Sequence, residues 1–156
     1  MRLGLFIDVG YGRFAYTLAS LDDKKILLYH CIETKENSLI EDRIYIIYKH
    51  LVELYQQYSY ELICIEEPCF NGERGAKLNR VLGMLYVLVG TYNTKYLTYN
   101  PKTMKRKVTG TGSASKADVL FNVQKYFPSI SNDLLDDVID SIGIYICYLI
   151  DNDLGN

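Results

Sequence analysis

At 156 residues, with 49% hydrophobic and 23% charged side chains, the chain is long enough for one domain with its own core and too apolar for intrinsic disorder. Its four cysteines form no CxxC pair and have no histidine cluster beside them, which argues against a zinc site, and a disulfide framework would need a secreted chain. The formal charge of −2 excludes a uniformly basic nucleic-acid binder, but residues 71–127 hold ten Lys/Arg against two acids, so a basic face on an acidic protein is expected.

Leu3–Ile7 is a short apolar run that reads as a buried strand closed by Asp8. Phe14–Ser20 follows Gly10 and Gly12, Asp22-Asp23 turns the chain, and Lys25–Ile32 reads as a third strand. Connections this short imply an antiparallel meander. Asn37–Tyr58 carries Leu39, Ile40, Ile44, Ile47, Leu51 and Leu54 at helical spacing. Glu61–Glu66 is the next strand, and Pro68 prevents it from continuing as a central one. Lys77–Thr91 is a helix apolar round most of its circumference, so a partner subunit is expected to cover part of it.

Lys95–Tyr99 is the fifth strand, and Pro101 opens a short basic helix, Lys102–Val108. Gly110-Thr-Gly-Ser is a loop, and Ser115 with Asp118 predicts a capped helix through Tyr126. After a break at Pro128–Asn132, Asp133–Ile150 is the last helix. Three hairpin strands followed by alternating helices and strands predict a mixed α/β sheet flanked by helices, with 1–156 as a single domain. The longest apolar stretches, Val81–Gly90 and Ile142–Ile150, are too short to span a bilayer. The opening Met-Arg-Leu-Gly lacks a signal-peptide layout, so a reduced, cytoplasmic protein is expected.

Four acids carry the chemistry. Asp8 and Glu66 each close an apolar strand, and an acid there sits at a sheet's rim, where ligand crevices form. Asp137 and Asp140, three residues apart, project from one helix face. The helix dipole also favours such first-turn acids, and a strand-end acid can be a simple cap. Brought together, the four would make a site for hard divalent cations that activate water against phosphodiesters. The Asp8-x-Gly10 turn also occurs in phosphate-binding kinases and actin-like ATPases, but this chain lacks room for their duplicated domains. Lys105, Arg106, Lys107 and Lys116 flank the Gly-rich loop, whose amides suit phosphate oxygens. Arg74, Lys77 and Lys102 extend the expected DNA-binding segment. His30 and His50 have no motif context.

The order Ile7-Asp8-x-Gly10, Ile65-Glu66, Lys105…Thr109-Gly-x-Gly-x-Ala-x-Lys116 and Asp137-x-x-Asp140 resembles the RuvC Holliday-junction resolvases from Leu3 to about Tyr148. The resemblance implies an RNase H-like fold with a five-stranded mixed sheet, three strands antiparallel and then parallel ones. It implies a homodimer acting on branched DNA, the four-way junction, by paired strand cleavage. It also implies Mg²⁺, with Mn²⁺ as substitute, two ions per site. By position, Asp8, Glu66, Asp137 and Asp140 match the metal-binding quartet, and Lys105 and Lys116 match the basic residues near the scissile phosphate. Helix 77–91, with Ala76-Lys77-Leu78 and Gly83, falls where the family dimerises. Val9 stands where the family usually has Pro. Cys69 takes the position of the family's aromatic, with Phe70 one residue later as the side chain expected to stack on bases. The alternatives are a less selective nuclease of forks and flaps and a non-catalytic junction-binding module. The intact quartet argues against the module. The expected setting is the cytoplasm of a bacterial cell or of a virus-infected host.

Overall fold

The computed structural model describes residues 1–67 and 72–155. The expectations for Pro68, Cys69 and Phe70 lie outside the described residues. In chain order the elements are β1 (Leu3–Asp8), β2 (Arg13–Ser20), β3 (Ile26–Glu33), α1 (Ile40–Tyr58), β4 (Leu62–Glu66), α2 (Gly72–Tyr92), β5 (Lys95–Tyr99), α3 (Pro101–Thr109), α4 (Lys116–Tyr126) and α5 (Asp136–Asp151). The sheet order is β3-β2-β1-β4-β5. The first three strands are antiparallel neighbours, and β1–β4 and β4–β5 are parallel, as the resemblance implied.

Strand alternation divides the interior into two cores. Leu5 and Ile7 of β1, Phe14, Tyr16 and Leu18 of β2, and Ile63 and Ile65 of β4 pack under α1 and α2. Phe6, Ala15, Ala19, Leu62 and Cys64 face the other way, under α3, α4 and α5. The small residues Ala15 and Ala19 let α5 lie close on β2. Gly143 serves the same end on the outer side, because a Cβ there would stand 3.1 Å from Met104 Sδ of α3. Packed between sheet and helices, α5 is buried round nearly all of its middle, from Ser141 to Cys147.

Helix boundaries differ from the sequence reading for local reasons. α1 begins at Ile40, three residues late, because Leu39 is extended with φ −58° and ψ 146°. α2 begins at Gly72, well before the apolar repeat, since the exposed Glu73 and Arg74 of its first turn give no periodic signal. α5 begins at Asp136, with Leu135 as its extended cap. At α4 the capping box stands as expected, Ser115 Oγ accepting from the Asp118 N–H and Asp118 accepting from the Ser115 N–H.

The apolar circumference of helix 77–91 divides into a buried and an exposed part. Leu78, Val81, Leu82, Leu85 and Leu88 form one buried stripe in the chain's own core. The outer face is Gly83, Tyr86, Val87 and Gly90, with Tyr86 54% and Val87 62% exposed. Any partner would meet that face rather than Leu82 or Leu85. Among the described residues, no helix is long and apolar enough to cross a membrane.

One buried polar contact fixes α5 on the sheet. Thr17 Oγ1 of β2 and Ser141 Oγ of α5 lie 2.7 Å apart, and the Ser141 hydroxyl also donates to the Val138 carbonyl at 2.7 Å. Both residues are fully buried. Ser141→Ala should destabilise the protein by about 1–3 kcal/mol, because it strands the Thr17 hydroxyl. Thr17→Val with Ser141→Ala should cost less than the two single changes summed. Urea unfolding of the three variants checks this.

Candidate functional site

The strand register delivers two of the acids together. Ile7 pairs with Ile65, so Asp8 and Glu66 are the next residues on neighbouring parallel strands, about 4.8 Å apart. Alternation turns both side chains to the face of Phe6 and Cys64, which is the α5 side. Asp137 and Asp140 come from the first turns of α5 over the same rim. The four carboxylates share one field. Burial pushes Asp8 from an ordinary 3.8 up to about 8, helped by Asp140, Glu66 and Asp137 in that order. Burial and then Asp140 push Glu66 to about 7. Burial raises Asp140 to about 6 against the opposing pull of Lys116, with Asp136 and Asp137 adding to the rise.

Four hard oxygen donors at one rim, three of them pushed up mainly by burial, fit divalent cations such as Mg²⁺. The side chains converge without being set for ligation, since among the described residues no three His, Cys, Asp or Glu are grouped closely enough to hold an ion as they stand.

The cations around the quartet differ in their commitments. Lys105 lies near enough to favour the ionised forms of Glu66 and Asp140. Lys116 Nζ donates to Asp136 Oδ2 at 2.7 Å, a partner that sequence spacing did not suggest. Arg13 Nη1 stands 3.7 Å from Asp137 Oδ2. Lys107 is turned away. It pairs with Asp151 at the far end of α5, and Asp151 also accepts from the Tyr99 hydroxyl at 2.7 Å. Lys102 and Arg106 are exposed on α3. Lys77 pairs with Glu73 at 3.1 Å and lies 5.6 Å from the centre of the Tyr11 ring.

An open cleft of about 780 Å³ runs from Asp8 and Asp137 past Tyr11, Arg13, Arg43, Arg74 and Lys77. Glu66 and Asp140 do not line it. Tyr11, Arg13 and Arg43 were absent from the sequence reading. Tyr11 sits in the tight turn after Asp8, where a Cβ on Gly10 would be 1.9 Å from the Arg13 carbonyl. Thr34 secures the turn, its N–H donating to the Gly12 carbonyl at 2.9 Å and its hydroxyl to the Tyr11 carbonyl. Arg43 left one legible sign, a charge on the buried stripe Arg43, Ile47, Leu51, Leu54. On the sheet face opposite the acids, His30 and His50 stack at 5.3 Å and Tyr16 Oη lies 2.7 Å from His50 Nε2.

Residues 5–148 match the family model of the crossover junction endodeoxyribonuclease RuvC. The RuvC of Brachyspira hyodysenteriae is 30% identical over 156 residues, covering 97% of this chain and 96% of that one. The RuvC of Chloroherpeton thalassium is 28% identical over 143 residues, covering 90% of this chain and 75% of that one. The Thermus thermophilus RuvC structure superposes with a TM-score of 0.82 at 18% identity, covering 97% of both chains. The same protein in complex with Holliday junction substrate gives 0.83 at 16% identity, covering 99% of this chain and 98% of that one. At such identities the likeness speaks for the fold.

The raised acids have a solution consequence. A carboxyl whose folded pKa exceeds its unfolded value binds more protons when folded, so stability falls as pH rises between the two values. For Asp8, Glu66 and Asp140 that window runs from near their ordinary values to about 8, 7 and 6. In chelator the melting temperature should therefore drop steadily between about pH 5 and pH 8. Millimolar Mg²⁺ should restore it at the alkaline end, and Asp8→Asn should flatten the profile. Thermal unfolding followed by circular dichroism measures all three.

Proposed function

The chain belongs to the RuvC family of crossover junction endodeoxyribonucleases, and from that premise we propose that it resolves four-way DNA junctions by metal-dependent hydrolysis of two opposed phosphodiesters. The observation that carries the chemistry is the nearness of Asp140, Glu66 and Asp137 to Asp8, all three acting on its carboxyl at one rim of the sheet. Two Mg²⁺ per site, or Mn²⁺ in their place, are assigned to these four carboxylates. When bound, such ions supply a water acidic enough to attack near neutral pH and positive charge for the leaving oxygen.

The chain's own groups do the rest. Asp8 and Glu66 hold their positions through paired strands, and Asp137 and Asp140 through a helix locked to β2. The strands and α5 thus supply the four carboxylates that would hold the ions. Lys105, already beside Glu66 and Asp140, meets charge on the phosphate. Lys116 exchanges Asp136 for phosphate when DNA arrives, a small loss because that surface pair is 70% and 58% exposed. Arg74, Lys77, Lys102 and Arg106 hold the DNA arms through the backbone. Lys107 joins them only by leaving Asp151. Phe70 is assigned to stacking on bases at the junction centre. The single nuclease domain acts in the cytoplasm as a homodimer, paired through the outer face of α2 so that two sites meet a substrate of twofold symmetry.

Asp8→Asn, Glu66→Gln, Asp137→Asn and Asp140→Asn should each reduce cleavage of a synthetic four-way junction in Mg²⁺ to background while leaving junction binding within a few-fold of wild type. A variant that cuts at the wild-type rate would remove that residue from the site. Equal wild-type cutting of junction, fork and flap would replace the resolvase reading with a general branched-DNA nuclease.

The dimer has its own test. Tyr86→Glu with Val87→Glu should convert a micromolar dimer into a folded monomer, because both side chains are exposed in the single chain. Leu85→Glu should unfold the protein instead, by placing an unpaired charge in its core. Sedimentation velocity separates the two outcomes.

A further inference from the structure

Arg43 is only 7% exposed, yet it carries a full charge on the apolar stripe of α1. A guanidinium buried that far is costly unless its charge is met. Among the described residues no carboxylate stands in ion-pair range of it. Its Nε donates to Thr34 Oγ1 at 2.8 Å and its Nη1 to the Glu36 carbonyl at 3.4 Å, both neutral acceptors. Its Nη2 borders the turn at Gly12, where a Cβ would lie 3.1 Å away. That atom has no hydrogen-bond partner among the described residues. The guanidinium carbon stands 4.9 Å from the centre of the Tyr11 ring, the ring that also holds Lys77 Nζ at 5.6 Å. One aromatic ring thus carries two cations, and the cleft they line begins at Asp8 and Asp137. Glu33 and Glu36 also border the cleft, and neither carboxylate pairs with Arg43 or Lys77.

We propose that Arg43, together with Lys77 at the Tyr11 ring, binds a backbone phosphate of the DNA strand beside the reacting one, with Tyr11 as the positioning residue for both cations. The inference rests on the nuclease reading, because the strand must run on from the acids into this cleft. Unused guanidinium N–H groups and an ammonium suit the non-bridging oxygens of a phosphodiester. The ring attracts both cations and offsets part of their mutual repulsion while the phosphate is absent. The fixed turn, held by Gly10 and Thr34, ties this subsite to Asp8 three residues earlier.

The test measures four-way junction binding by fluorescence anisotropy over a range of KCl, with Ca²⁺ replacing Mg²⁺ so that cutting does not intervene. Arg43→Gln should weaken binding roughly tenfold and lower the slope of log affinity against log salt by about one. Arg43→Lys should keep the slope. Junctions carrying single methylphosphonates next to the cut position add a readout that a structural role would not move. At one position, neutralising the phosphate should cost the wild type about tenfold and Arg43→Gln clearly less, since only Lys77 then still meets that phosphate. An unchanged slope, or losses that add at every position, would overturn the proposal. Should Arg43→Gln not fold, the wild-type Arg43 Nε–Hε NMR signal, assigned by its absence in Arg43→Lys, decides. It should move when short single-stranded DNA is added, and an unmoved signal at saturation would overturn the proposal. Wild-type protein that fails to cut junctions at all would instead overturn the nuclease reading, whereas normal cutting with an unchanged slope would remove only the phosphate subsite.

Discussion

Repulsion among four carboxylates at one rim of the sheet is the constraint that the surrounding structure must absorb. Burial is the largest cause of the rise at Asp8, Glu66 and Asp140, and the neighbouring acids add to it at each. Such a cluster would relax by moving apart if its carriers could move. They are held instead by different kinds of bond: ladder hydrogen bonds between β1 and β4, and the buried Thr17–Ser141 contact that fixes α5 one residue from Asp140. Lys105, Lys116 and Arg13 supply counter-charge at the edges, and Asp136 draws one of them outward. The ladder and the buried contact thus fix the elements that carry the acids.

The sheet separates two kinds of work. Its α5 face carries the acids, and the small Ala15 and Ala19 on β2 allow the helix close enough to share their field. Its other face carries α1 and α2, where Arg43 reaches the cleft from below and Tyr86 and Val87 look outward. Period-2 alternation makes this division possible, because Ile7 and Asp8, or Ile65 and Glu66, are consecutive residues that serve opposite layers. A net charge of −2 is compatible with a polyanion substrate for a related reason. Basic groups stand next to the acids at this rim, with Lys105 and Lys116 both favouring the ionised form of Asp140.

What was legible in the sequence was what depends on near neighbours. The five strands, the capping box at Ser115 and the strand-end acids all follow from patterns a few residues long. The family resemblance supplied the link between the four acids, which no spacing could supply. What escaped depends on contacts between distant residues. Lys107 read as a DNA contact until Asp151, 44 residues away, claimed it. Arg43 went unread because its partners Tyr11 and Thr34 belong to other elements. The apolar circumference of α2 was correctly seen, but a one-dimensional pattern does not say which stripe meets the chain's own core. Leu82 and Leu85 took that role, and the flatter face at Gly83, Tyr86, Val87 and Gly90 was left outside.

That division along α2 links assembly to substrate. The helix sets Lys77, and Arg74 one turn earlier, on the cleft that starts at Asp8 and Asp137. Ten residues further on, at a rise of about 15 Å, the same helix presents Tyr86 and Val87. Between Leu78 and Leu88 it is fastened to the sheet by five buried aliphatic side chains, so it cannot bend freely between those ends. If two copies meet on the outer face, the distance between their clefts is set by a rigid rod rather than by loops. The reach from one acidic site to the other would then be fixed before DNA arrives. A junction whose strands match that reach would engage both sites, whereas a single duplex would engage one. Selectivity for a branched substrate would in that case come from spacing, with base contacts adding to it rather than creating it.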